Sequence, residues 1–327
     1  MKYVKFGRTG MDVSALCLGC MTYGTPDRGQ HAWTLDEETS RPFIKQAVDL
    51  GFNFFDAANS YSDGTTEEIL GRAIKDLGLR RDEIVVTSKL SNPVRKGPNG
   101  AGLSRKAVFG EIDLTLKRLG TDYVDLYQIH RADSTTPIEE TLEALNDIVR
   151  AGKVRYIGAS NIFTWQFVQM IYTSRANGWA SFVSMQNHLN LLAREEEYEM
   201  LPFCRDQGIA VIPYSPLARG RLTRDWDESS ERQEADGAAM KRYDNRIDAK
   251  RQIIERVAAI AKARGVPRAQ VAMAWVIQKP GITSPIVGAS KPHHLPDAIA
   301  ALSLNLTAEE IALLEEPYAP KLVPVFR

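Results

Sequence analysis

Short apolar runs alternate with longer stretches of helical periodicity along almost the whole chain. The runs Ala15–Leu18, Phe52–Asp56, Ile84–Lys89, Val124–His130, Val154–Ser160, Phe182–Gln186, Ala210–Tyr214 and Ile282–Val287 predict eight strands. Several are nearly continuous in apolar residues, as expected of parallel strands covered on both faces. Ahead of them, Val4–Phe6 and Asp12–Ser14 predict a hairpin. Helical spacing fills Thr39–Leu50, Glu67–Leu77, Ser104–Leu119, Thr141–Ala151, Thr164–Asn177, Arg194–Gln207 and Asp248–Arg264. Gly51, Gly78, Gly120, Gly152, Gly178, Gly208 and Gly265 follow these stretches closely, where helix ends favour glycine. Pro137-Ile138-Glu139-Glu140 reads as the approach to a helix. Eight β/α alternations predict an α/β fold, a (β/α)8 TIM barrel with an N-terminal β-hairpin, occupying residues 1–327 as a single domain.

A doubly wound nucleotide-binding domain is the rival architecture. It wants G-x-G-x-x-G after the first strand, and neither that pattern nor a P-loop occurs. One stretch breaks the rhythm. From Arg219 to about Asn245, after strand seven, the chain is polar and crowded with charge, including Arg219, Arg221, Arg224, Asp225, Asp227, Glu228, Glu231 and Arg232. Two readings stay open for this long loop: a solvated surface segment, or one that folds over a charged ligand.

Composition narrows the function classes. At 327 residues, length alone suggests roughly two domains, although α/β barrels fill this length with one. Lys plus Arg and Asp plus Glu both number 41, so the net charge is zero and a nucleic-acid binder relying on excess positive charge is disfavoured. The cleanest apolar run, Val271 to Ile277, is far short of the ~20 residues that span a bilayer. No apolar secretory h-region is visible near Met1, and three cysteines do not make a disulfide scaffold, so a reducing cytoplasm is expected.

In a barrel the C-terminal strand ends face the active site. The polar residues collected there are Asp56, with Tyr61 in the loop beyond it, then Lys89, His130, Ser160, Asn161, Gln186, Asn187 and Tyr214. Asp56, Tyr61, Lys89 and His130 form a coherent chemical set. A phenol with a pKa near ~10 is a poor proton shuttle at neutral pH. A nearby ammonium lowers that pKa, a carboxylate can hold the ammonium, and an imidazole can orient a carbonyl oxygen. Each residue alone also has a structural reading: helix cap, rim aromatic, solvated strand end or core histidine. Their coincidence at successive strand ends favours chemistry.

Four segments carry a family resemblance. Asn53-Phe54-Phe55-Asp56-Ala57-Ala58-Asn59-Ser60-Tyr61 resembles the strand-two signature of the aldo-keto reductases, and Tyr156-Ile157-Gly158-Ala159-Ser160-Asn161 their cofactor-amide motif. Tyr214-Ser215-Pro216-Leu217-Ala218-Arg219-Gly220 is similar to their pyrophosphate loop, and Pro285-Ile286-Val287-Gly288-Ala289-Ser290 to the segment holding the adenosine phosphate. The resemblance runs from about Tyr3 to Tyr318. Within the family, the likeness is greatest to bacterial YajO-like members. It is carried by Cys17-Leu18-Gly19-Cys20-Met21-Thr22, Asp27–Trp33, Ser184-Met185-Gln186, Arg194-Glu195-Glu196-Glu197 and Leu217–Arg224.

The resemblance implies NADPH-dependent reduction of an aldehyde or ketone to an alcohol. Tyr61 would be the general acid, Lys89 and Asp56 would depress its pKa, and His130 would position the carbonyl. Ser160, Asn161 and Gln186 would hold the carboxamide, and Tyr214 would stack on the nicotinamide. Ser215 and Leu217 would meet the pyrophosphate through backbone groups, with Gly220 and Arg221 in the loop over it. Gly288 and Ser290 would lie at the adenosine phosphate. Where many relatives carry Gln or Arg and then Glu-Asn, this chain has His294, Asp297 and Ala298. Two other readings follow: the YajO-like likeness implies sugar-phosphate rearrangement giving 1-deoxyxylulose 5-phosphate, and some barrels of this kind are non-catalytic cofactor-holding modules.

Cys17 and Cys20 match C-x-x-C, but further metal ligands at suitable spacing are missing and no metal site is expected. Cys20 and Met21 are placed at the cofactor end of strand one, and Tyr23, His31, Trp33 and Arg131 are candidates for the substrate pocket. The expected partner is a small-molecule carbonyl compound, with neither nucleic acid nor membrane, and a homo-oligomer is left open.

Overall fold

The computed structural model describes residues 1–29, 32–228, 243 and 247–318. An antiparallel hairpin comes first: β1 (Tyr3–Lys5) and β2 (Asp12–Ser14), with Tyr3 opposite Ser14 and Lys5 opposite Asp12. Eight parallel strands follow: β3 (Cys17–Gly19), β4 (Phe54–Asp56), β5 (Val85–Leu90), β6 (Val124–Ile129), β7 (Val154–Ser160), β8 (Ser184–Gln186), β9 (Ala210–Val211) and β10 (Ile286–Val287). They pair in chain order from β3 to β9, with β10 on the free side of β3. Val211 bridges Ile282 in parallel, and the Ile286 amide donates to the Pro213 carbonyl at 2.8 Å, so the sheet closes on itself. This is the (β/α)8 barrel expected from the alternation.

Of the eight strands, β9 and β10 are shortened most against their apolar runs. The ladder of β9 stops at Val211 and that of β10 begins at Ile286. Pro213 and Pro285 lie just outside, and proline has no amide to give a ladder.

Ten helices surround the barrel among the described residues: α1 (Glu37–Asp49), α2 (Thr65–Asp76), α3 (Arg105–Leu119), α4 (Ile138–Arg150), α5 (Thr164–Ala176), α6 (Met200–Gln207), α7 (Ile247–Arg264), α8 (Arg268–Gln278), α9 (His294–Ala301) and α10 (Ala308–Glu315). Asp36 caps α1 by accepting from the Thr39 amide, and Ser104 caps α3 through the Ala107 amide. The seven glycines after the expected helices all take positive φ, Gly120 at 64°. One expected helix is corrected. Arg194–Gln207 is not continuous: Arg194 has φ −126°, a single 3-10 turn spans Glu195–Glu197, and α6 begins only at Met200. The Arg194 side chain holds Glu197 and Glu315, tying this turn to the end of α10.

The core has two layers. Inside the barrel, Phe6, Val13, Cys17, Phe54, Val85, Leu126, Ala210, Ile212 and Ile286 form one cluster. Phe6 and Val13 come from the hairpin, which therefore closes the N-terminal end of the barrel. The second cluster lies between strands and helices and contains Cys20, Tyr23 and Leu18. Cys17 and Cys20 fall in different clusters, Cys17 on β3 and Cys20 in the 3-10 turn that follows it. Among the described residues, no helix is long and apolar enough to cross a membrane.

Candidate active site

The strand ends bring Asp56, Lys89 and Tyr61 together at the open end of the barrel. Lys89, fully buried on β5, sends Nζ to Asp56 Oδ2 at 2.6 Å, the Ala57 carbonyl at 2.9 Å and Tyr61 Oη at 3.1 Å. An ammonium has three protons, and these acceptors take all three. Because Tyr61 Oη accepts from lysine, its own proton is free to be given elsewhere. The His130 ring stands edge-on to Tyr61, centroids 5.7 Å apart.

The second oxygen of Asp56 is equally engaged. Gln186 Nε2 donates to Oδ1 at 2.9 Å, and Gln128 Nε2 and Thr87 Oγ1 approach at 3.3 Å. Gln128 also donates to Thr87 Oγ1 at 2.9 Å. Thr87 and Gln128 were absent from the sequence-derived set. The signal was present, because each lies two residues before a predicted site residue on its strand, and side chains two apart share a face.

Electrostatics add burial to the expected balance. Burial raises the Tyr61 pKa above the ordinary phenol value; Lys89 pulls it down, while the Asp56 charge pushes it up. The net direction is upward because burial outweighs the pull of Lys89, which itself exceeds the push of Asp56. Burial also works against the Lys89 ammonium, but Asp56 and Tyr61 outweigh it and the Lys89 pKa is raised. His130 is held well below the usual imidazole range by burial, Lys89 and Arg131. At neutral pH the cluster therefore holds a protonated phenol, an ammonium and a neutral imidazole.

The rim around this cluster is strained. Ser62 and Asp63 after β4, Ser91 after β5, Asn161 after β7, and Ser215, Ala218 and Arg219 after β9 all have positive φ without being glycine. Such conformations cost about 1–3 kcal/mol each and cluster at functional sites.

The expected cofactor residues line an adjacent arc. Asn161 donates to Ser160 Oγ at 2.7 Å and to the His130 carbonyl at 3.3 Å, and accepts from Tyr214 Oη at 2.7 Å. Tyr214 stacks on His188 with ring centroids 5.1 Å apart. Leu217 at φ −96°, ψ 15° followed by Ala218 at φ 49° is the alternation that turns successive amides into an anion-binding nest. The turn sits beside Ser215 and Gly220, with the Ala218 amide donated to the Ser215 carbonyl at 2.9 Å. Arg221 donates to the Trp226 carbonyl at 3.0 Å and lies over that indole. A Cβ on Gly288 would meet Thr22 Oγ1 at 3.2 Å. The Ser290 amide donates to His294 Nδ1, Asp297 accepts from Gln270 on α8, and Ala298 is buried.

The pocket candidates divide. Arg131 is exposed beside His130, while Trp33 and Met21 are partly exposed. Tyr23 is fully buried, stacked on Phe43 at 6.5 Å, and its ring belongs to the outer core rather than to a pocket. Cys20 is likewise buried in that core. His31 lies outside the described residues. Of the polar loop, the described part runs to Glu228, with Tyr243 buried and its hydroxyl 2.9 Å from His188 Nε2.

Comparison with known proteins adds independent findings. Residues 15–319 match the family model described as the aldo/keto reductase family. The chain is 41% identical to the versiconal hemiacetal acetate reductase of Aspergillus parasiticus, over 99% of this chain and 98% of that protein. It is 42% identical to a candidate aryl-alcohol dehydrogenase of Schizosaccharomyces pombe, covering 99% and 97%. It is 40% identical to an aldo-keto reductase of Metarhizium robertsii, covering 98% and 91%. These three are fungal, not bacterial.

Proposed function

Because the chain belongs to the aldo/keto reductase family, we propose that it reduces an aldehyde or ketone to the alcohol, using NADPH and with Tyr61 as general acid. The observation that carries this reading is the Asp56–Lys89–Tyr61 chain, 2.6 Å and then 3.1 Å, with His130 against the phenol. The nicotinamide, when bound, supplies the hydride. As charge develops on the carbonyl oxygen, Tyr61 gives its proton to that oxygen. Lys89, locked by Asp56, steadies the phenolate left behind. Neutral His130 donates a hydrogen bond to the same oxygen.

Ser160, Asn161 and Gln186 are the residues for the carboxamide, Tyr214 for the nicotinamide ring, and the nest at Leu217 and Ala218 for the pyrophosphate. Arg219, Arg221, Arg224 and Ser290 are the donors for the 2′-phosphate that separates NADPH from NADH. A single barrel domain carries the whole site. The relatives' names include an aryl-alcohol dehydrogenase and a hemiacetal acetate reductase, which favours aryl aldehydes as first substrates. Rearrangement of a sugar phosphate is the second reading, supported by the YajO-like stretches and by exposed Arg131 beside His130.

The test is cofactor oxidation against a panel of aryl and alkyl aldehydes, with NADPH and NADH in parallel. Tyr61→Phe is expected to lose about 10²–10⁴-fold in kcat, with little change in the NADPH dissociation constant. A variant keeping most of the wild-type kcat removes Tyr61 from the role. Turnover of a phosphosugar without cofactor consumption would favour the second reading.

A further inference from the structure

We propose that Asn92 is a positioning residue that decides which nitrogen of His130 carries the proton, making Nε2–H the donor toward the reacting carbonyl. The role rests on the carbonyl reduction proposed above, while the geometry stands by itself. Asn92 Nδ2 lies 3.1 Å from His130 Nδ1. An amide nitrogen donates and does not accept, so Nδ1 must be the bare nitrogen of the ring. A neutral imidazole then has its proton on Nε2. With the opposite tautomer, two N–H groups would face each other at Nδ1. A lone pair on Nε2 would meet the carbonyl oxygen.

The question of tautomer arises because the ring is neutral. The groups facing it are Tyr61 from the loop after β4, Lys89 from β5 and Arg131 from its own loop. Both cations, with burial, disfavour the imidazolium. A doubly protonated ring would donate from either nitrogen, and Asn92 would have nothing to decide. An amide suits this position better than an acid. A carboxylate would accept from Nδ1–H, draw the proton to the wrong nitrogen and favour the imidazolium.

Local backbone explains how Asn92 arrives there. β5 ends at Leu90, whose carbonyl accepts the His130 amide at 2.8 Å. Ser91 then takes φ 110°, and its carbonyl is held by the Gly102 amide at 2.9 Å. This fixed turn carries Asn92 across to the next strand end.

The experiment reads the ring directly. In protein labelled with ¹⁵N-histidine, the His130 signals, assigned by their loss in His130→Gln, should show bare Nδ1 and protonated Nε2. Asn92→Asp should reverse the pattern. With NADPH and para-nitrobenzaldehyde, Asn92→Ala should lose about fivefold in kcat/KM, the scale of one hydrogen bond. Asn92→Asp should lose about 10²-fold, as for a misplaced proton donor. The acid limb of its pH profile should also move upward. A proton on Nδ1 in the wild type overturns the proposal. So does an Asn92→Asp variant that keeps the wild-type tautomer, or equal losses in both variants with an unmoved profile. If the protein reduced no carbonyl at all, the ring nitrogens would still report, so that failure is separate.

Discussion

At Lys89 one side chain satisfies three acceptors inside the barrel, and removing it or its carboxylate has opposite consequences for the neighbouring phenol. With Tyr61 as the proposed acid, reduction needs the phenol protonated, and activity should fall as pH rises through its pKa. Burial places that pKa above the ordinary ~10, and the rate should hold level across neutral pH. Lys89→Met deletes the one charge that lowers the phenol pKa, so most turnover is lost and the alkaline limb moves further up. Asp56→Asn deletes a charge that raises it, so the limb moves down and the loss is smaller. Stopped-flow rates across the alkaline range distinguish the two, and unmoved limbs in both variants would break the coupling. That Asp56, Tyr61, Lys89 and His130 meet was legible in the sequence because strand ends are legible in a barrel. The net direction of the Tyr61 shift was not, since it depends on depth of burial. Nor was Tyr23, because the chain after β3 turns inward in a 3-10 turn over Cys20–Thr22 and buries it. Asn92 depends on a positive φ at Ser91, and serine does not announce such a turn.

Among the elements, two helical glycines show how context sets the sign of one substitution. Gly110 is exposed within α3 and a Cβ there would touch nothing within 4 Å. Gly110→Ala should therefore stabilise by about 0.5–1 kcal/mol through helix propensity alone. Gly71 lies in α2 where it meets the end of α3, and its Cβ would fall 2.3 Å from the Leu119 carbonyl oxygen. Gly71→Ala should destabilise by about 1–3 kcal/mol, the scale of overpacking. Urea unfolding of both variants checks this, and equal effects would deny the close approach. Strand and helix order was largely legible from the alternation of periods. The run Val271–Ile277 was not read as a helix because six consecutive residues of α8, Val271 to Val276, are buried and so show little periodicity. α10 announces itself only by the Thr307–Glu310 capping box.

For the whole molecule, the hairpin stopper and the proposed site sit at opposite ends of the barrel. Phe6 from the hairpin is fully buried and packs edge-on to Phe54, centroids 5.6 Å apart. Phe6→Ala should cost about 3–5 kcal/mol as a core truncation. KM for NADPH and for the aldehyde should stay unchanged in the folded protein. Denaturation and steady-state kinetics on the same sample test this, and a raised KM would show that the stopper shapes the site. The seam of the barrel has a consequence for biosynthesis. Cys17 pairs with Ile286, and Ser284 donates to the Ser14 carbonyl. A ribosome adding roughly 5–20 residues per second needs on the order of tens of seconds to make the chain between them. For that interval the outer edge of β3 has no partner, and an open strand edge invites pairing with other chains. The two strands that meet at the seam are three and two residues long, so the nascent chain offers little template for aggregation while it waits.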